Sequence, residues 1–196
     1  MYATLKSSGE HSQVVKGSDF LAFATPVNDV KTALEFLQDI RNRYPDATHV
    51  CWAYKIFDQY RFSDDGEPGG TAGAPIFRAL EGSRLECVVV AVVRYYGGVN
   101  LGAGGLVRAY GGTAAEALRL AERLEVHPRI RLSVQVGFEQ MNTLYKLLED
   151  FDTTGREDDF TDQGLRVQWN VLETEVEPLR IAVRDATRGQ GIVDTD

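Results

Sequence analysis

The sequence predicts an α+β fold divided into two domains, one over residues 1–126 and one over residues 127–196. Segments rich in β-branched and aromatic residues alternate with segments whose apolar residues recur at helical spacing, so both kinds of element are expected. Pro128 follows an amphipathic helix and stops helical continuation, which predicts a linker over residues 124–129. A chain of 196 residues has room for two small domains.

The first half contains the predicted central strand. Residues 87–93 form a continuous apolar run of mostly valine, which is typical of a strand covered on both faces. Residues 30–44 show the apolar spacing of a helix, and Asn28 is expected to cap it. The other predicted elements are strands over residues 19–27, 48–57 and 61–63 and helices over residues 71–80 and 106–121.

The second half has six predicted elements in the order strand, helix, strand, strand, helix, strand. This order predicts a ferredoxin-like βαββαβ domain. The elements are expected at residues 131–138, 141–151, 153–160, 165–172, 175–188 and 191–194.

The net charge limits the classes of function. The chain has 21 basic and 29 acidic residues, a net charge of −8, and no Lys/Arg-rich block. These numbers exclude a wholly basic surface for nucleic acid, although a local cationic pocket stays possible. No apolar run approaches the roughly 20 residues of a membrane-spanning helix, and residues 1–6 have no apolar export core. We therefore expect a cytoplasmic protein with no membrane contact.

The two cysteines, Cys51 and Cys87, lie singly in apolar segments. This placement predicts buried thiols and gives no zinc or redox motif. We expect no cofactor and no bound metal.

Glycine is concentrated in two stretches, at positions 66–73 and 97–112. In the second stretch a buried strand ends in a Gly-rich loop that leads into a helix, so backbone N–H groups converge at the positive helix start. Arg94 and Arg108 add two positive charges, and no carboxylate occurs between Glu86 and Glu116. The pattern predicts a pocket that attracts anions.

A purely structural interpretation of the same residues also stands. The glycines can serve tight turns and close packing, and the arginines can pair with Asp64, Asp65 or Glu67. The loop lacks the Gly-Lys-Ser/Thr ending of a P-loop, and its glycine spacing is not that of a dinucleotide-binding fingerprint.

Residues 61–73 carry three carboxylates within four positions. Such a cluster can hold Mg²⁺ or share general acid/base work, or it can form a solvated or Arg-paired turn. The segment has no complete ligand series and no His partner, so the turn is favoured. No spacing of hydroxyl groups and histidines predicts a hydrolytic triad.

Several aromatic residues lie in or beside these stretches. Exposed rings there can stack on bases or line a peptide groove, whereas buried rings would belong to the core. The residues concerned are Tyr54, Phe62, Tyr95, Tyr96 and Tyr110.

Five motifs together resemble the signature of the IMPACT/YigZ family, of the bacterial two-domain type. They are ATH at 47–49, SDDGEP at 63–68, GTAG at 70–73, VRYYGG at 93–98 and LGAGGLVRAY at 101–110. The resemblance implies a first domain like the second domain of a ribosomal small-subunit protein and domain IV of elongation factor G. It implies a ferredoxin-like second domain similar to domain V of that factor.

The resemblance further implies a non-enzymatic regulator related to translation. Its partner would be the ribosome or RNA, without DNA sequence specificity, or an acidic protein, and we expect a monomer. A protein-binding module without RNA contact and an enzyme for a small phosphorylated substrate stay as alternatives. The expected binding residues, none of them catalytic, are His49, Arg61, Asp64, Asp65, Glu67, Thr71, Arg94, Tyr95, Tyr96, Gly97, Gly98, Gly102, Gly104, Gly105, Arg108 and Tyr110.

Overall fold

A computed structural model describes residues 1–195 and shows an α+β protein. The chain divides into two compact units, one spanning Tyr2–Val126 and one that begins at His127 and includes Met1. Each unit has its own apolar core. No helix among the described residues is long and apolar enough to cross a membrane.

The first unit is built on a five-stranded antiparallel sheet. The order of its strands is β2-β3-β6-β4-β5. A separate two-stranded sheet joins the start of the unit, β1, to its end, β7. The strands are β1 (Tyr2–Leu5), β2 (Gly9–Val15), β3 (Ser18–Pro26), β4 (His49–Ile56), β5 (Gln59–Ser63), β6 (Val88–Tyr95) and β7 (Arg123–Val126).

Strand β6 is the central strand that the valine-rich run predicts. Val88 to Val93 are all fully buried. Alternate residues face opposite layers, since Val90 and Val92 belong to one core cluster and Val89 and Val93 to the other. Both faces of the strand are therefore covered, which explains why its sequence is continuously apolar.

Three helices supply the two layers. Helix α1 (Val30–Arg43) covers one face of the sheet, and α2 (Gly73–Gly82) and α3 (Ala103–Leu120) cover the other. Asp29, not Asn28, caps α1. The Asp29 carboxylate accepts a hydrogen bond from the Thr32 N–H at 2.7 Å, and the Thr32 hydroxyl accepts one from the Asp29 N–H at 3.2 Å. This reciprocal pair is a capping box with Thr at its third position.

Three strands of this unit were not expected from the sequence. They are β1, β2 and β7, and β7 occupies part of the segment interpreted as a linker. The chain thus stays in the first unit until Val126, which pairs with Tyr2. Strand β2 alternates polar and apolar residues weakly, and its exposed edge position gives the sequence little apolar signal.

Among its described residues, the second unit contains one four-stranded antiparallel sheet and two α-helices. The order of the strands is β11-β8-β10-β9, and both helices contribute to a core centred on the fully buried Trp169. The elements, in chain order, are β8 (Arg129–Val136), α4 (Met141–Leu148), β9 (Thr153–Thr161), β10 (Gly164–Leu172), α5 (Val176–Ala186) and β11 (Ile192–Thr195).

Candidate functional site

The Gly-rich loop that follows β6 leads to the start of α3. Gly102 has a φ of +72°, a left-handed conformation that favours glycine, and α3 begins at the next residue. No side chain among residues 1–195 caps this helix, and its first backbone bond runs from the Leu106 N–H to the Gly102 carbonyl. The N–H groups of the first turn therefore have no partner within the helix.

Gly97 is required by packing. A Cβ atom at this position would lie 1.9 Å from the carbonyl oxygen of Gly17, in the turn between β2 and β3. The Gly97 N–H donates to the Ser18 hydroxyl at 3.1 Å. For this residue the structural interpretation of the glycines holds, since its N–H is already used inside the protein.

A cavity of about 570 Å³ opens beside the start of α3. We call it the α3 cavity. Its walls include five of the expected binding residues, together with residues that the sequence did not single out, such as Asn100. Among the residues that line the α3 cavity are Thr48, His49, Glu67, Arg94, Tyr96 and Gly102.

Arg94 does not present a free positive charge to this cavity. Its NH1 group donates to Glu67 Oε1 at 2.6 Å, and its NH2 group donates to the Ser18 hydroxyl at 3.2 Å. The side chains of Arg94 and Glu67 are only 6% and 4% exposed. The expectation that Arg94 makes the pocket cationic is therefore wrong, because a buried carboxylate cancels the charge. Arg94 therefore has the purely structural role that the sequence left open, paired with a carboxylate, rather than the role of a free cation in an anion pocket.

Tyr110 and Cys51 extend this buried network. The Tyr110 hydroxyl donates to Glu67 Oε1 at 2.7 Å, and the Cys51 thiol donates to the Asp64 carbonyl at 3.0 Å. Burial raises the pKa of the Tyr110 hydroxyl and the pKa of the Cys51 thiol far above their ordinary values. Both groups therefore stay protonated at neutral pH, and neither is an activated nucleophile. Tyr110 is fully buried, so it cannot stack on a base.

Asp64 organises the start of α2. Its carboxylate accepts hydrogen bonds from the N–H groups of Gly70, Ala72 and Gly73 at 2.8–2.9 Å. Burial alone would raise the pKa of Asp64, but these backbone bonds outweigh it and hold the pKa below its ordinary value. Thr71 completes the turn by donating its hydroxyl to the Pro68 carbonyl at 2.6 Å.

Asp65 is also used by the fold. Its carboxylate accepts the Val50 N–H at 2.7 Å and pairs with Arg41 at 2.8 Å. Across residues 1–195, no three His, Cys, Asp or Glu side chains are grouped closely enough to hold a metal ion. The carboxylates of the acidic stretch are bonded inside the protein, and two of them, Asp65 and Glu67, pair with arginines, as one of the alternatives predicted.

Arg108 lies on α3 but outside the α3 cavity. It is exposed, and no ion pair or hydrogen bond joins it to any residue that the structure describes. It lines a smaller cavity of about 250 Å³, together with Lys16, Gln13 and Gly105. We call Lys16 and Arg108 the cationic patch. The structure thus separates Arg94 from Arg108, which the sequence placed in one pocket.

Lys16 is a candidate binding residue that sequence reasoning missed. It lies in the turn between β2 and β3, with a φ of +50°. Gly17 is a turn signal, but it becomes informative only once β2 is recognised as a strand.

The other expected residues lie away from both cavities. Arg61 is exposed on β5, opposite Tyr54 of β4. The Tyr95 hydroxyl donates to Asp46 at 3.0 Å, and Tyr54 is buried in the core on the α1 side. Phe62 is 40% exposed and stacks on Phe77 of α2.

The glycines differ in what they contribute. Gly98 is exposed in the loop with a φ of +82°. Gly104 and Gly105 form the first turn of α3, so their backbone is part of the uncapped helix start.

Fold and site define an α+β protein of two units whose first unit carries an uncapped helix start between two cavities. The family model described as "Impact N-terminal domain" matches residues 16–118. The chain belongs to the IMPACT family.

Relatives match most of the chain. It is 43% identical over 178 residues to "IMPACT family member in pol 5'region" of Thermus thermophilus, covering 90% of this chain and 97% of that protein. It is 38% identical over 143 residues to "IMPACT family member YigZ" of Escherichia coli, covering 70% of each chain. A solved structure described as a "hypothetical protein" matches with a TM-score of 0.70 and 31% identity, covering 98% of this chain and 95% of that one.

Proposed function

We propose that the protein is a non-enzymatic, translation-related regulator whose first unit binds phosphate groups of RNA, free or in the ribosome. Membership of the IMPACT family supports this proposal. The proposal includes a first domain related to ribosomal-protein and elongation-factor domains and a ferredoxin-like second domain. The antiparallel sheets with helices packed on them are compatible with both relationships.

The observation that carries the proposal is the cationic patch beside the first turn of α3. Lys16 and Arg108 are both exposed and line one small cavity with Gly105. The positive end of the α3 dipole adds to their field, because no side chain caps the helix. Two cations beside the positive end of a helix suit the oxygens of a phosphate.

The net charge of −8 does not oppose this local attraction. After His127 the chain has 14 acidic and 8 basic residues, so most of the excess negative charge belongs to the second unit. Surface charges further apart than about 10 Å are largely screened at 0.1 M salt. The field at the cationic patch is therefore set by its nearest charges.

The experiment measures binding of the full chain to a labelled single-stranded RNA and its cosedimentation with ribosomes at low salt. We expect Arg108→Ala to weaken both, because one phosphate contact is lost. Arg78→Ala is the matched control, since Arg78 is an exposed arginine on α2 that lies outside the patch. Absence of RNA and ribosome binding by the unaltered protein, or equal binding by Arg108→Ala, would overturn the proposal.

A protein-binding module is the second candidate, and strand β5 favours it. This strand is at the edge of the sheet, and Tyr60 and Phe62 are 59% and 40% exposed there. Both rings stack on Phe77 and form an aromatic surface beside an unpaired strand edge. A protein that binds after nuclease treatment, and that the variant Phe62→Ser no longer binds, would favour this candidate over RNA binding.

A further inference from the structure

We propose that the α3 cavity is a second binding site, for a small phosphate monoester that also carries hydroxyl groups, such as a mononucleotide. The cavity, about 570 Å³, is within the usual range for small-molecule sites. It is distinct from the cationic patch, because neither Lys16 nor Arg108 lines it.

The start of α3 forms the end of the site that binds the phosphate group. Gly102 and Ala103 line the cavity where the 18-residue helix begins. The first-turn N–H groups have no capping side chain, and the helix dipole makes this end positive. A phosphate group placed there meets several backbone donors at once.

The Arg94 side chain gives separate evidence for a ligand, because one of its N–H donors lacks an acceptor. The residue lines the cavity and is 5% exposed, yet its Nε–H donates to no acceptor among the residues described. Buried donors are rarely left without a partner, because the lost hydrogen bond costs about 1–3 kcal/mol. Tyr96, which is 48% exposed, covers the guanidinium group at 5.5 Å. A ligand oxygen that enters beside Tyr96 can accept this bond.

Glu67 determines which end of the ligand lies deeper in the cavity. Glu67 Oε1 accepts the bonds from Arg94 and Tyr110, whereas Oε2 has no partner in the part of the chain that the structure describes. A carboxylate oxygen attracts a hydroxyl donor and repels a second anion. The hydroxyl groups of the ligand are therefore expected beside Glu67, and the phosphate beside α3.

His49 offers a second partner for a hydroxyl group. Its Nδ1–H donates to the Asp65 carbonyl at 2.8 Å, so Nε2 is the ring nitrogen left for a hydroxyl group. Nε2 lies 3.9 Å from Glu67 Oε1. Two polar partners for hydroxyl groups at the buried end and N–H donors at the open end match a hydroxylated phosphate monoester and disfavour a simple inorganic anion.

Calorimetric titration of the full chain with AMP, adenosine and inorganic phosphate tests this assignment. We expect saturable AMP binding, with adenosine and inorganic phosphate each at least about tenfold weaker because each satisfies one end only. Absence of AMP binding at millimolar concentration would overturn the proposal. Equal affinity for AMP and adenosine would also overturn it, because the helix start would then contribute nothing.

Ala103→Glu is the decisive variant. It places a carboxylate in the first turn of α3, where it stabilises the helix and repels the phosphate, so AMP binding should weaken at least about tenfold without loss of folding. Gln38→Glu, which adds one negative charge at an exposed position of α1, should leave AMP binding unchanged. AMP binding that survives Ala103→Glu would contradict the proposal.

Two further measurements separate this site from the proposed RNA-binding surface and identify the source of the ligand. Arg108→Ala should leave AMP binding intact, and loss of AMP binding in this variant would place the ligand on the cationic patch and overturn the cavity assignment.

A 5′-phosphorylated oligonucleotide that displaces AMP, when its 5′-hydroxyl form does not, would identify RNA ends as a source of the monoester. Failure to displace AMP would identify a free metabolite.

Discussion

At the residue scale, Glu67 is the buried carboxylate of the candidate site. It accepts hydrogen bonds from Arg94 and Tyr110 while only 4% of its side chain is exposed. The sequence named all three residues but could not decide between a free and a paired Arg94. That choice depends on how a loop twenty-seven positions away in the chain packs against β6, which local patterns do not record.

Glu67→Ala should strongly destabilise the first unit. The substitution leaves the Arg94 charge buried without a partner, which costs about 3–5 kcal/mol. Urea denaturation measures this loss. Glu116→Ala, which breaks an exposed ion pair with Arg119 on α3, should have a much smaller effect. A similar free energy of unfolding for Glu67→Ala and the unaltered protein would show that the buried pair does not stabilise the fold.

At the element scale, the strongly periodic segments were predictable, whereas β1, β2 and β7 were not. The fully buried β6 and the amphipathic α1 have patterns that local sequence reveals. Strands β1 and β7 have four residues each and pair with each other from opposite ends of the first unit. Short strands carry little periodicity, and a partner so distant in sequence cannot be identified from spacing.

The start of α2 shows the same limit. Its N-cap residue, Ala72, has no side chain that can accept a hydrogen bond, and Asp64 from the preceding loop takes over that role. The sequence predicted a helix here and an acidic turn before it. It did not predict that a carboxylate of the turn accepts hydrogen bonds from the start of the helix, because that contact depends on how the turn folds back on the helix.

Asp64→Asn should reduce stability in a pH-dependent way. The pKa of Asp64 is lowered in the folded protein, so its contribution is present above the unfolded pKa of about 3.9 and is lost as pH falls through the lower folded value. We expect Asp64→Asn to cost about 1.5–3 kcal/mol at pH 6, because the three N–H bonds lose a charged acceptor.

Urea denaturation at pH 6 and pH 3 tests this prediction. The difference between Asp64→Asn and the unaltered protein should shrink at pH 3. Asp58→Asn, in the exposed turn between β4 and β5, serves as the control and should show no comparable change. A difference that is equal at both pH values would contradict the assigned role of the Asp64 charge.

At the scale of the whole molecule, the proposed function depends on where charge is left unpaired. The protein is acidic overall, and the carboxylates of the SDDGEP stretch are all bonded internally, as is Arg94. Lys16 and Arg108 are left exposed together beside an uncapped helix. Motif spacing singled out Arg108 and predicted a helix after the Gly-rich loop, but α3 begins at Ala103, three residues earlier than predicted. The separation into two cavities follows from the tertiary packing of β2, β3 and α3.

The salt dependence of RNA binding tests the central claim most directly. For single-stranded RNA, each neutralised phosphate contributes a slope of about −0.7 to log K against log salt concentration. If Lys16 and Arg108 each neutralise one phosphate, the double variant Lys16→Ala/Arg108→Ala should reduce the magnitude of the slope by about 1.4. A slope that is the same for the double variant and the unaltered protein would show that this patch does not bind RNA phosphates.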